Sequence, residues 1–315
     1  MTDRTTLKFD GVATAGILVT LGGFSLGPIL VRYFTNYVDA WSQNCYRYSI
    51  ACLFWMPYLV LSVRTNRIDN RIWRRAVWPS LINIAMQTVF AIGFYYIKPT
   101  FLILLSKSSI LWVAGFSLLF FADERPLARD RKFWLGLILS IIGLVGVVVY
   151  KEGFDPSTTI IGIVMALAAG ISQAFYFIAA RVAFRNMDSR VSFAVIALHT
   201  SLGLAVLAVL FGEPAQGLTL SGRLWGLIVI SGIIPIAIAH TTIYAAMRRV
   251  GATIPSIALL VQPFVVLAMS RVLFDESLSV GQWLSGLILM VGAALAIYAH
   301  NRIGRERQIK PQMTN

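Results

Sequence analysis

The chain has 315 residues, 57% of them hydrophobic and 13% charged, with a formal net charge of +13. A charged share about half that of an average soluble domain, with the apolar residues gathered in long blocks, excludes a water-soluble fold. The basic residues are spread between those blocks rather than clustered with aromatics in one domain, which argues against nucleic acid and for a lipid bilayer as the partner.

A helix needs about 20 apolar residues to cross the hydrocarbon layer, and ten segments approach that length. The first, 11–31, follows a polar stretch and has no small-residue cleavage site leading to a soluble domain, so it reads as a retained helix. The second, 41–61, carries Cys45, Arg47 and Cys52; the two cysteines lie along one helix face, too far apart to bridge, and imply no redox or metal role. The third, 76–97, carries Asn83 and Gln87, and the turn Lys98-Pro99-Thr100 separates it from the fourth, 101–121, with Lys107 and Trp112. The fifth is 133–150. The sixth, 159–180, contains Gln173, Phe175 and Tyr176, and the seventh, 191–211, contains His199. The eighth, 224–247, holds His240 and Tyr244; the ninth, 251–273, holds Gln262 and Arg271; the tenth, 280–299, leads into a basic tail over 301–315.

Cytoplasmic loops accumulate Lys and Arg. With the N-terminus inside, twenty of the 27 basic residues fall in inner segments and only Arg32, Lys98, Lys151 and Arg223 in outer ones, the remaining three lying within helices. The expectation is a multi-pass protein of the inner or plasma membrane with both termini cytoplasmic.

The chain also looks duplicated. Gly-Leu-Ile-Leu occurs at 136–139 and again at 286–289, with Glu124 and Glu276 shortly before the two copies. Two five-helix halves follow, 1–151 and 152–300, and because five is odd the second lies inverted in the membrane. The fold class is therefore all-α integral membrane protein, ten transmembrane helices as two inverted five-helix repeats, an architecture common among secondary transporters.

Several residues fit a known pattern: Cys45-Tyr46-Arg47-Tyr48 early in helix two, Ala122-Asp123-Glu124-Arg125-Pro126 and Phe274-Asp275-Glu276 closing helices four and nine, and Tyr244 to Ala252 leading to Gln262-Pro263. With these the sequence resembles the EamA-type members of the drug/metabolite transporter superfamily over nearly its whole length. Two departures stand out: Gly22-Gly23-Phe24-Ser25 replaces the Trp-Gly pair often seen in helix one, and Ser108 and Ser109 stand where helix four often has a proline. The resemblance implies transport, with export of amino acids or related metabolites as the specific expectation, and a structural role for Arg47.

Every acidic residue falls at a helix end or in a loop, so no carboxylate relay crosses the membrane. The membrane instead contains Arg47 and Lys107, each about 9 Å below the outer end of its helix. An unpaired charge in hydrocarbon costs at least ~2.5 kcal/mol. The two cations either attract an anionic or zwitterionic solute or snorkel to headgroups, and Arg47 has the further option of tying helix ends together. Asn83 with Gln87, and His240 with Tyr244, are four apart and share a face on helices three and eight; they line a cavity or hydrogen-bond between helices. Trp112, Gln173, Tyr176 and Gln262 complete a mixed aromatic and polar lining, which ordinary packing would also explain.

Glu124 and Glu276 cap helix ends or form gate-like ion pairs, capping being the simpler assignment. No phosphate-binding loop, metal cluster or strand-borne nucleophile is present, so neither an enzyme nor a cofactor is expected. The expected function is alternating-access secondary transport of a small solute, coupled through proton exchange at His240 or through substrate antiport; the rivals are a lipid flippase and a non-transporting scaffold. Nothing in the sequence bears on oligomeric state.

Overall fold

A computed structural model describes residues 10–65, 68, 70–120, 128–183, 187–250 and 253–309. Within them the chain folds as α1 (Gly11–Phe34), α2 (Ala40–Arg64), α3 (Arg71–Gly93), α4 (Pro99–Ser106), α5 (Ser109–Phe120), α6 (Arg131–Val149), α7 (Pro156–Ala183), α8 (Ser189–Phe211), α9 (Gly222–Ser231), α10 (Ala239–Val250), α11 (Thr253–Ala258), α12 (Gln262–Phe274) and α13 (Val280–Ile309). These make ten rods, called spans 1 to 10: α4 with α5 form span 4, α9 with α10 span 8, and α11 with α12 span 9. Eight spans are long and apolar enough to cross a membrane. Span 2 has the length, but its first turns carry Ser42, Gln43, Asn44 and Arg47, and span 4 is interrupted. The last helix runs on as helix through Ile309, past the membrane end expected near residue 299.

Five aspartates sit at span ends because they start helices. Asp10 accepts from the Ala13 N–H, Asp39 from Trp41 and Ser42, Asp130 from Lys132 and Phe133, Asp155 from Ser157, and Asp188 from Arg190. Each satisfies donors that the first helical turn leaves without an intrahelical partner. The hydrogen bond from Ala13, helped by the Arg249 side chain, holds the Asp10 carboxyl below the usual aspartate range. Burial pulls Asp39 the other way, yet its bonds from Ser42, Glu213 and Trp41 leave it lowered too.

Three of the five spans of the first half pack against the span five positions on. Spans 5 and 10, 2 and 7, and 4 and 9 lie together, while span 3 packs on span 6 as span 8 does on span 1. Exchanging each span for its counterpart maps this set of neighbours onto itself. Counterparts run antiparallel: Gly136 meets Ala296, Gly143 meets Leu289 and Gly281 meets Tyr150 between spans 5 and 10. Trp41 stacks near Phe211, Ser49 bonds Ser201 at 3.0 Å and Arg190 lies over Tyr58 between spans 2 and 7. The two halves are inverted copies. The repeated Gly-Leu-Ile-Leu belongs to spans 5 and 10, where a Cβ on Gly143 would lie 2.3 Å from the Leu289 nitrogen; the backbones are too close for a side chain.

Three spans are irregular at depth. Span 4 breaks at Lys107 and Ser108 without a proline: the Lys107 N–H is shared between the Ile103 and Leu104 carbonyls, the Ser108 N–H returns to Leu105, and the Ser106 hydroxyl takes the Ile103 carbonyl. Serine hydroxyls compete with the helical ladder in this way. Span 9 tightens into a 3₁₀ turn at Leu259–Val261, just before Pro263, which has no N–H to continue the ladder. Span 8 widens into a π-helix at Gly232–Ile238 around Pro235.

Candidate functional site

The breaks of spans 4 and 9 meet. Lys107 ends α4, about 12 Å along the axis from Pro99 and so near the middle of a layer about 30 Å thick. Its ammonium donates to Gln262 Oε1 at 2.8 Å, and Gln262 Nε2 donates to the Phe24 carbonyl of α1 at 2.8 Å. Gln262 is 8% exposed and Lys107 is partly buried. Among the described residues no carboxylate forms an ion pair with Lys107, and its one side-chain partner is a neutral amide. Gly170 of α7 lets the break approach, since a Cβ there would fall 2.5 Å from Ser108 Oγ.

Phe24 connects this junction to span 8. Its ring meets His240 edge-on at 4.8 Å, and Phe193 of α8 stacks on the other side at 5.2 Å. His240 Nδ1 faces the Ile236 carbonyl at 3.0 Å, and the Trp55 indole donates to Ala237 O at 3.1 Å; both carbonyls belong to the π-helical turn. One helical turn beyond His240, the Tyr244 hydroxyl lies 2.9 Å from that of Tyr176. On α3, Asn83 donates to Thr200 at 3.0 Å and to Tyr48 at 3.4 Å, and Gln87 donates back to Asn83 at 3.5 Å. The Asn44 amide donates to the Gln87 carbonyl.

Of the residues expected from sequence, Lys107 and Gln262 are brought into direct contact, as are Tyr176 with Tyr244 and Asn83 with Gln87, and His240 lies beside the first pair through Phe24. Arg47 takes no part in the Lys107 junction. It is 4% exposed, so it does not snorkel; Nε donates to Ser231 Oγ at 2.6 Å and a terminal nitrogen to Asn44, tying span 2 to the start of the π-helical turn. Trp112 is 39% exposed and belongs to an aromatic ladder with Phe116 and Phe175, the latter two rings 4.2 Å apart. Gln173 is half-buried on α7, and no hydrogen bond among the described residues ties it to the cluster. Arg271 is exposed near the end of α12, as a snorkelling residue is. Both cysteines are free. Glu124 lies outside the described residues.

The sequence reading missed Thr200, Phe193 and Ser231, and it took Tyr48 and Phe24 only as parts of motifs. Tyr48 and Thr200 are polar groups within apolar runs, the same signal that marked Asn83.

The Glu276 end of the bundle is closed. Glu276, 2% exposed, accepts from the Thr100 N–H at 3.0 Å, the Thr100 hydroxyl at 2.8 Å and the Phe101 N–H at 3.2 Å, and the Ser270 hydroxyl also donates to it. It caps α4 from another span, the capping role expected of it. Phe94, Ile97, Phe101 and Leu102 are buried around it, and Arg32 closes over them onto the Phe94 carbonyl.

Two inverted halves thus bring their broken spans together at the Lys107 and Gln262 pair, which Phe24 links to the His240 ring. The EamA-like transporter family model matches the chain twice, over residues 13–149 and 160–298. A Haemophilus influenzae protein described as an uncharacterized transporter is 25% identical over 190 residues, 58% of this chain and 61% of that relative. A crystal structure with 18% sequence identity superposes with a TM-score of 0.63 over 92% of this chain and 98% of the other, a likeness of fold. The chain belongs to the EamA-like transporter family, and through it to the drug/metabolite transporter superfamily.

Proposed function

We propose that the protein is an alternating-access secondary transporter that exports amino acids or related small anionic or zwitterionic metabolites across the inner or plasma membrane, with both termini in the cytoplasm. The observation that carries this reading is the Lys107 and Gln262 pair, a cation held at mid-depth by a neutral amide where the breaks of two counterpart spans meet. A charge so placed costs free energy unless a solute or water compensates it, and irregular backbone at membrane depth is tolerated where it is buried in protein or lines a path. The packed Glu276 end and the inverted halves support this reading, since alternating access needs a gate that closes and two halves that exchange roles.

Lipid transfer is less well supported. The shallow groove between α4, α12 and α13 is lined mainly by Leu104, Pro263, Phe264, Leu278 and Trp283, and its Gln282 already donates to the Val147 carbonyl. It offers a headgroup little to bind.

Proteoliposomes containing only this protein test the reading. Saturable flux of at least one labelled amino acid or small carboxylate, above protein-free vesicles, is the expected result. Absence of flux across a broad panel, with insertion confirmed, would make the chain a scaffold.

A further inference from the structure

We infer that the solute carried past Lys107 is a net anion without a balancing positive charge, a small monocarboxylate with an apolar body, in preference to a zwitterionic amino acid. This rests on the reading above that the Lys107 junction is the solute path.

A zwitterion brings an ammonium as well as a carboxylate, and both must leave water. Lys107 serves the carboxylate. For the ammonium the site needs a carboxylate or free carbonyls, because a buried charge without a partner is strongly disfavoured. Every acidic side chain described lies elsewhere. Asp10, Asp39, Asp130, Asp155 and Asp188 cap helix starts at span ends. Glu213 accepts from Gln216 beyond α8, and Glu152 and Asp275 lie in turns. The acid nearest along span 4 is Glu276, whose oxygens bind Thr100, Phe101 and Ser270. Thr100 is seven residues from Lys107, about 10 Å along the helix.

Three carbonyls around Phe24 and His240 are also occupied. The Phe24 carbonyl is taken by Gln262, Ile236 by His240 and Ala237 by Trp55. What Lys107 reaches through Gln262 and Phe24 is neutral: the Phe24 and Phe193 rings about His240 and, one turn further along α10, the paired Tyr176 and Tyr244 hydroxyls. Such groups suit an apolar body, and Lys107 repels an ammonium. The same carbon skeleton with a ketone in place of the amine keeps the carboxylate and removes the unmatched charge.

The test uses the full chain in proteoliposomes preloaded with unlabelled solute. Initial uptake is measured at neutral pH for two pairs, leucine against 4-methyl-2-oxopentanoate and phenylalanine against phenylpyruvate. In whichever pair the protein moves, the oxo acid is expected to show a rate over KM about tenfold above the amino acid. Lys107→Gln is expected to abolish that preference and Lys107→Arg to retain it. A ratio below three, or a preference that survives Lys107→Gln, overturns the inference. Flux of neither member of either pair also overturns it; saturable flux of another solute in the wider survey would then leave the transport reading standing without it.

Discussion

The carboxylate of Glu276, at the end of span 9, accepts both the backbone N–H and the hydroxyl of Thr100 at the start of span 4, at 3.0 and 2.8 Å. One buried side chain thus joins the ends of two counterpart spans and satisfies donors that α4 leaves without partners of its own.

Glu276→Ala removes this cap and leaves the Thr100 and Phe101 N–H groups unpaired. The expected cost is about 1–2 kcal/mol, roughly a 5- to 30-fold shift toward states in which this end is open. Ile97 is 4% exposed beside it, so a cysteine there, with Cys45 and Cys52 replaced by serine, reports the opening. Labelling by a membrane-impermeant maleimide is expected to be slow in the parent and several-fold faster with Glu276→Ala. Equal rates would show that the cap does not hold the end shut.

The tight packing of spans 5 and 10 separates two glycines of the same residue type. A Cβ on Gly143 would lie 2.3 Å from the Leu289 nitrogen, whereas one on Gly22 meets nothing within 4 Å. Gly143→Ala is expected to cost about 1–3 kcal/mol through forced separation of the helices, while Gly22→Ala gains up to about 1 kcal/mol of helix propensity. Thermal unfolding in detergent checks the pair, and a Gly143→Ala protein as stable as the parent contradicts this packing.

Asp39 caps α2 and, with its second oxygen, accepts from the Glu213 N–H in the turn after α8. Its folded-state pKa is lowered, so its contribution is present above the ordinary aspartate value near 3.8 and is lost as pH falls through the depressed folded value. The melting temperature of the parent is therefore expected to fall more steeply below about pH 4 than that of Asp39→Ala. Above pH 5 the substitution is expected to cost about 1 kcal/mol, the usual worth of an N-cap. Parallel pH curves for the two proteins would show that Asp39 does not carry this dependence.

Much of this architecture was legible because the bilayer enforces it. Apolar length marked the spans, and the repeated Gly-Leu-Ile-Leu pointed to two halves whose counterparts prove antiparallel. Lys107 stood out as a charge with no acid in reach. What local sequence does not encode is which side chain answers it: Gln262 is 155 residues away, and only the meeting of two broken spans brings it to 2.8 Å. The break itself was hidden because span 4 has no proline at Lys107 and Ser108; the signal was three serines around a lysine in an otherwise apolar helix. Arg47 and Lys107 looked equivalent by depth, yet Ser231, on another span, claims Arg47. Trp112 and Gln173 were grouped with the lining by residue type alone, and type does not say which face of a helix meets which neighbour.

The orientation proposed above, with both termini cytoplasmic, rests on the distribution of basic residues. Leu218, 91% exposed in the turn between α8 and α9, and Thr65, exposed after α2, then face opposite sides. A cysteine at Leu218 is expected to react with an impermeant reagent in intact cells, and one at Thr65 only after permeabilisation. The reverse pattern would invert the orientation.

The central claim is that solute passes Lys107, and the KM for a transported carboxylate in proteoliposomes measures it most directly. Loss of one hydrogen bond to a charged group is worth about 1.5–3 kcal/mol, so Lys107→Gln is expected to raise KM roughly 10- to 100-fold at unchanged insertion. A KM equal to that of the parent would place the solute path elsewhere.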